Sequence, residues 1–144
     1  MAGNTQPIFS KTGDVSSNGT TGMAPTLTTA AADYTGASAN NALVFTADAT
    51  NGGFIQKLRF KCLGGATASV ARIYLNNGST NTSAGNNSWF GELALPAVTA
   101  IATTSTIDLD YPMNIAIPAG FKVYVGLGTT VASGWVVIPV AGKY

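Results

Sequence analysis

The sequence predicts an all-β fold: an antiparallel β-sandwich of jelly-roll or immunoglobulin-like type, with seven or eight strands and an extended N-terminal arm. From residue 42 onward, short runs alternate apolar and polar side chains with the period of a strand. Turn signals rich in Gly and Asn interrupt these runs every 8–12 residues. No stretch shows the periodicity of an amphipathic helix. Together these observations favour a sandwich.

The strand candidates each carry one apolar side that we expect to face the core. They occupy residues 42–48, 53–63, 68–77, 87–96, 104–118 (one long strand or two short ones), 121–128 and 133–144. The predicted core sets are Leu43 and Phe45; Leu58 and Phe60; Ile73 and Leu75; Leu93 and Leu95; Ile107, Leu109 and Tyr111; and Val123, Val125 and Leu127. Asn51-Gly52, between the first two candidates, is a strong β-hairpin signal.

The last strand differs because it is apolar on both sides. Val136, Ile138 and Val140 alternate with Trp135, Val137 and Pro139. A strand of this kind at the surface of a single sandwich needs a cover over its outer side. The N-terminal arm or a second subunit is the expected cover.

Residues 1–41 form the predicted arm, and residues 42–144 form the predicted sandwich domain. The arm is rich in Gly, Ser, Thr, Ala and Asn, and its large apolar residues, among them Ile8 and Phe9, follow no helix or strand period. We expect the arm to pack onto its own domain or onto a neighbouring copy.

Charge is scarce, which favours a protein that works in an assembly. Only 9% of residues are charged and the net charge is +1, so copies repel one another weakly. The chain has no histidine, which excludes Ser-His-Asp and Cys-His catalysis and histidine zinc sites. The single cysteine, Cys62, lies on the apolar side of its strand and is expected to be a buried, inert thiol.

The sequence predicts no membrane segment. Its most apolar region, residues 131–141, is shorter than the roughly 20 residues of a membrane helix and contains Gly134 and Pro139. The N-terminus lacks the cationic start and apolar run of a secretory signal.

Two short charged runs are the main candidate contact features. Lys57, Arg59 and Lys61 share one strand face, and Asp108 and Asp110 share another. Cross-strand pairing would match the carboxylates to the cations, within one chain or between chains. The charged face is either a solvated outer face with some pairing or an intersubunit or docking contact. Nucleic-acid binding is not expected, because the net charge is low and no aromatic residues are interleaved with the cations.

The same two carboxylates could suggest glycoside hydrolysis or calcium binding. Neither is favoured, because no aromatic platform adjoins them and no loop has the D-x-D-x-D-G pattern. We therefore expect no catalytic residue, no metal and no cofactor. The uncharged loop 76–87 could bind a glycan, although a plain hairpin loop is the favoured interpretation.

Two segments of the sequence carry a family resemblance: RFKCLGGATASVARIYLNNGSTNT and IAIPAGFKVYVGLGTTVASGWVVIPVAGKY. With the Thr/Ser/Asn/Gly/Ala-rich arm, they resemble small virion proteins of tailed bacteriophages, most closely capsid decoration (cement) proteins. The resemblance implies a structural protein that is made in the host cytoplasm and is placed on the capsid exterior. Its implied partners are copies of itself, expected as a trimer, and the major capsid protein. A phage tail, fibre or baseplate module that binds host glycans through loop 76–87 is the alternative.

The resemblance supplies no site residues, so the candidate interface comes from the residues alone. It combines the arm, the last strand and the two charged runs. Its members are Ile8, Phe9, Lys57, Arg59, Lys61, Asp108, Asp110, Trp135, Val136 and Ile138.

Overall fold

The computed structural model describes residues 12–15, 24–31 and 33–144, and within them it has nine strands in two antiparallel sheets. The strands are β1 (Thr12–Asp14), β2 (Thr26–Leu27), β3 (Ala42–Thr46), β4 (Gly53–Cys62), β5 (Ser69–Asn76), β6 (Asn87–Leu95), β7 (Asp108–Ile117), β8 (Lys122–Leu127) and β9 (Trp135–Lys143). A short 3-10 turn, Ala84–Asn86, precedes β6. The predicted all-β sandwich is confirmed.

The order of strands in the sheets distinguishes a jelly roll from an immunoglobulin-like sandwich. Sheet A has the order β1-β9-β4-β7, with β2 also paired to β9, and sheet B has the order β3-β8-β5-β6. Strand β2 pairs with β9, β3 with β8, β4 with β7 and β5 with β6. These nested pairs describe one long hairpin wrapped around a core, which is the jelly-roll arrangement.

The turn at Asn51-Gly52 is present, but the hairpin predicted from it is wrong. Asp48 Oδ1 accepts hydrogen bonds from the backbone N–H groups of Thr50 (2.9 Å) and Asn51 (2.8 Å), and Gly52 has φ +82°. The flanking strands then separate, because β3 joins sheet B and β4 joins sheet A. Each strand completes its hydrogen bonds with partners distant in sequence, so the tight turn becomes a corner between the sheets.

The core lies between the sheets and follows most of the predicted alternation. Its largest fully buried side chains are Trp135, Tyr74, Phe45, Phe60, Ile55, Leu58, Ile73, Leu95, Leu127, Val44, Val123 and Val125. Leu43 departs from the prediction because the β3–β8 register shifts after it, which buries Val44 fully and leaves Leu43 only partly buried. Ile107 also departs, since it lies just outside β7 and is 40% exposed.

The described part of the predicted arm packs on its own domain. Strands β1 and β2 add to β9 at one side of sheet A. The chain then crosses to sheet B, where Ala31 N donates to Leu127 O (2.7 Å) and Tyr74 Oη donates to Asp33 O (3.0 Å). The predicted contact residues Ile8 and Phe9 lie outside the described residues.

Candidate functional site

The candidate site is the outer surface of sheet A, and strand β4 determines its centre. Leu58, Phe60 and Cys62 of β4 are buried between the sheets. Because side chains alternate along a strand, the intervening residues Lys57 and Arg59 point away from the core, as Lys61 does. The predicted cationic face is therefore a face of sheet A.

Strand β7 brings the two aspartates beside these cations. In the register, Arg59 lies opposite Asp110 and Lys61 lies opposite Asp108. The ion pairs alternate between the strands: Lys57 Nζ–Asp110 Oδ2 (2.7 Å), Arg59 Nε–Asp110 Oδ1 (4.0 Å), Arg59 Nη2–Asp108 Oδ2 (3.2 Å) and Lys61 Nζ–Asp108 Oδ1 (2.8 Å). We call these five residues the charge ladder.

In the structure the cations and the aspartates of the charge ladder pair within one chain. All four contacts are intramolecular, and each joins groups that keep about a third to a half of their side-chain surface exposed. Exposed pairs of this kind add little to stability and are screened by salt. Three cations meet two carboxylates, so the ladder keeps one net positive charge.

Strand β9 places an apolar row directly beside the ladder. Val136, Ile138 and Val140 lie opposite Lys61, Arg59 and Lys57 in the β4–β9 register. These three residues, which we call the apolar row, are only partly buried in the described structure. The methylene stems of neighbouring Lys and Arg side chains can cover part of such a row while their charges stay in water.

Trp135 does not belong to this surface, which corrects one predicted contact. Its side chain is 0% exposed and packs in the core between the sheets. The strand alternates from that point, so Val136 and Ile138 point outward while Trp135 and Val137 point inward. The two-sided apolar pattern was visible in the sequence, but it did not show which side was the core.

The lowered pKa of Asp108 suits a charged contact and does not suit a general acid. A hydrogen bond from Lys61 lowers the pKa of the Asp108 carboxyl, and the nearby charges of Lys61 and Arg59 lower it further. Asp108 is therefore a carboxylate at neutral pH. A glycosidase needs one carboxyl group whose pKa is raised so that it can donate a proton.

Acid is expected to destabilise the fold through Asp48 and Asp108. Backbone hydrogen bonds from Asn51 and Thr50 lower the pKa of Asp48, as Lys61 does for Asp108. A lowered folded-state pKa gives stability that is present above the ordinary value of 3.8 and is lost as the pH falls through the lower folded value. We expect the urea midpoint to decrease below about pH 4, and to decrease less in the double variant Asp48→Asn/Asp108→Asn. If the urea midpoint falls equally with pH in the wild type and in the double variant, this expectation is contradicted.

Loop 76–87 uses its amides to hold itself together. Asn76 Nδ2 donates to Asn87 Oδ1 (2.8 Å), and Asn87 Nδ2 donates to Asn81 O (2.7 Å). Asn86 Nδ2 donates to Thr80 O (2.9 Å), and Asn81 Nδ2 donates to Ser38 O (3.1 Å). These bonds, three within the loop and one to Ser38, leave the loop fewer free donors for a glycan than its composition suggests.

Two further groups of contacts were missed by the sequence reasoning. Arg72 lies 4.0 Å above the Tyr34 ring and pairs with Glu92 (3.0 Å), while Tyr34 contacts Trp89 edge-to-face at 5.1 Å. The alternation within β5 and β6 could have suggested the Arg72–Glu92 pair. No local pattern could have predicted that Tyr34 contacts Arg72 and Trp89, because the segment that carries Tyr34 reaches sheet B only in the folded protein.

A further ion pair joins β1 to β9. Lys143 Nζ lies 3.0 Å from Asp14 Oδ2, and Asp14 is almost fully buried. The pair joins a residue of the predicted arm to the last strand of the sandwich. Cys62, in contrast, behaves as predicted: it is a buried free thiol whose Sγ lies 3.0 Å from Gly64 O.

Comparison with known proteins adds no relative: no family model, no curated protein and no solved structure matches this chain. Across the described residues, no helix is long and apolar enough to cross a membrane. In the same residues, no three His, Cys, Asp or Glu side chains group as metal ligands would.

Proposed function

We propose that this chain is a structural virion protein that binds the exterior of an assembled phage capsid and stabilises it as a decoration protein. It acts as a homo-oligomer whose partners are its own copies and the major capsid protein. The observation that carries the proposal is the outer surface of sheet A. There an apolar row lies directly beside a patterned ladder of exposed charges.

This surface has the features of a protein contact. Interfaces combine a partly apolar centre with polar groups whose charges fix register and exclude wrong partners. The apolar row supplies the centre, and the ladder supplies an alternating pattern with one excess cation. The phage resemblance of the sequence supports the choice of a capsid as the partner.

Stabilisation of the shell would follow from mass action. A protein that binds the assembled capsid, and not its separated subunits, shifts the equilibrium toward the intact shell. Catalysis is not needed for this function. The paired state of Asp108 and Asp110 is consistent with a contact role.

Charges introduced into the apolar row test the proposal. The double variant Val136→Lys/Ile138→Lys should bind capsids of the encoding phage, assembled without this protein, at least about tenfold more weakly than the wild type, because its new cations lie beside Lys61 and Arg59 and their burial without an anionic partner is costly. Co-sedimentation measures the bound fraction. Ser88→Lys/Ala94→Lys, at exposed positions on β6 of sheet B, is the matched control. Undiminished binding by the apolar-row variant would contradict the proposed surface, and absence of wild-type binding would contradict the function.

The second candidate is a phage tail, fibre or baseplate module that binds host glycans. The observation that favours it is the exposed aromatic pair next to loop 76–87: Tyr34 is 56% exposed and Trp89 is 49% exposed. In that case the chain would sediment with host cells and not with capsids, so the same assay separates the two functions.

A further inference from the structure

Two exposed aromatic side chains belong to one connected cluster on the outer surface of sheet B. The residues on both sides of Arg72 in β5 are fully buried, so Arg72 points away from the core. Glu92 of β6 lies opposite Arg72 in the register and pairs with it. Tyr34 lies over Arg72, and Trp89 contacts Tyr34. We call these four residues the aromatic cluster.

The contacts within the aromatic cluster hold both rings in place. The guanidinium carbon of Arg72 lies 4.0 Å from the centroid of the Tyr34 ring, and the centroids of Tyr34 and Trp89 are 5.1 Å apart with the rings inclined at 60°. Trp89 Nε1 donates to Gly91 O (3.2 Å), which holds the indole against its own strand. Rings that are ordered beforehand lose little conformational entropy when a ligand packs on them.

The aromatic cluster also offers polar atoms beside the two rings. Arg72 Nε donates to Glu92 Oε1 (3.0 Å), and this contact uses only one of the two carboxylate oxygens. The Glu92 side chain is 36% exposed, so Oε2 can accept a hydrogen bond from a ligand. Tyr34 is more than half exposed, and its Oη can both donate and accept.

This combination suits the chemistry of a neutral sugar. A pyranose ring has an apolar C–H face that packs on an aromatic ring, and its hydroxyl groups bond carboxylate and phenol oxygens. Small-ligand sites combine aromatic surface with a few placed polar groups in this way. An anionic ligand is disfavoured, because Glu92 is more exposed than the Arg72 charge that it pairs with. A protein partner would need a much larger contact area than two rings provide.

We propose that the aromatic cluster binds a neutral oligosaccharide. Sugar rings pack on Trp89 and Tyr34, and sugar hydroxyl groups bond Tyr34 Oη and Glu92 Oε2. The outer surfaces of the two sheets of a sandwich face opposite directions, so a chain that binds a capsid through sheet A presents this cluster to its surroundings. The inference therefore goes beyond capsid binding and does not rest on it.

The two tryptophans of the chain make the test specific. Trp135 is fully buried and Trp89 is half-exposed, so a sugar that packs on the aromatic cluster changes the emission of Trp89. The purified full-length chain is titrated with neutral hexasaccharides of glucose, mannose, galactose or N-acetylglucosamine. At least one of them should give a saturable blue shift of the tryptophan emission. Calorimetry with that sugar then gives its Kd.

Variants of the two rings locate the bound sugar. Trp89→Ala should weaken binding at least about tenfold, and Tyr34→Phe, which removes only the hydroxyl group, should weaken it about threefold or more. The matched control is Leu63→Ala, which truncates a similarly exposed apolar side chain outside the cluster and should leave the Kd unchanged. Calorimetry measures all three variants, and circular dichroism checks that each is folded.

Several outcomes would overturn the inference. The absence of a saturable shift with all four sugars would do so, as would wild-type affinity in folded Trp89→Ala. Loss of capsid co-sedimentation in Trp89→Ala would show that the cluster contacts a protein and would overturn the inference as well. Failure of sugar binding leaves capsid binding by the apolar row untouched, because co-sedimentation measures that property separately.

Discussion

Replacing Phe60 by alanine is expected to lower the free energy of unfolding by about 3–5 kcal/mol. Phe60 is fully buried on β4, and β4 pairs with both β9 and β7. Truncation removes the transfer free energy of the ring and leaves a cavity that two flanking strands prevent from closing. Urea unfolding at neutral pH, followed by fluorescence of the tryptophans, measures the loss.

Phe54 on the same strand provides the matched control. It is only partly buried, so Phe54→Ala removes the same group from a site that water already reaches. Its loss should be clearly smaller. Equal losses for the two variants would mean that β4 does not present Phe60 to the core, and the assignment of the two faces of sheet A would be wrong.

Replacing Gly52 by alanine is expected to destabilise the protein by about 2–4 kcal/mol. Gly52 has φ +82°, a conformation that side-chain-bearing residues rarely adopt. An added Cβ would also lie 2.5 Å from the carbonyl oxygen of Ile117, a backbone atom that cannot move alone. The corner between β3 and β4 would therefore shift together with the end of β7.

Gly120 separates the two causes. It also has a positive φ, of +72°, but an added Cβ would meet nothing within 4 Å. Gly120→Ala should therefore cost only the backbone strain, about 1–2 kcal/mol. If thermal or urea unfolding shows equal losses at Gly52 and Gly120, the close approach to Ile117 has no energetic effect.

Salt should separate the two parts of the candidate surface on sheet A. Screening weakens contacts that depend on the charge ladder, because its side chains are exposed, whereas contacts of the apolar row should change less.

Much of the candidate site could be predicted from the sequence because strand alternation is a local property. The shared face of Lys57, Arg59 and Lys61 follows from the pleat alone. Whether these cations pair with Asp108 and Asp110 within one chain or between chains stayed open. Only the β4–β7 register showed that the partners belong to the same chain.

The sequence by itself determined the strand content, the alternating faces of β4 and the uncharged character of residues 96–107. These features depend on neighbouring residues and on a period of two. The tertiary structure alone decided which sheet each strand joins, and therefore that Asn51-Gly52 makes a corner between the sheets. It also decided that Trp135 faces the core while Val136 faces outward. The physical reason is that a strand completes its hydrogen bonds with partners distant along the chain, and no local pattern specifies which partner that will be.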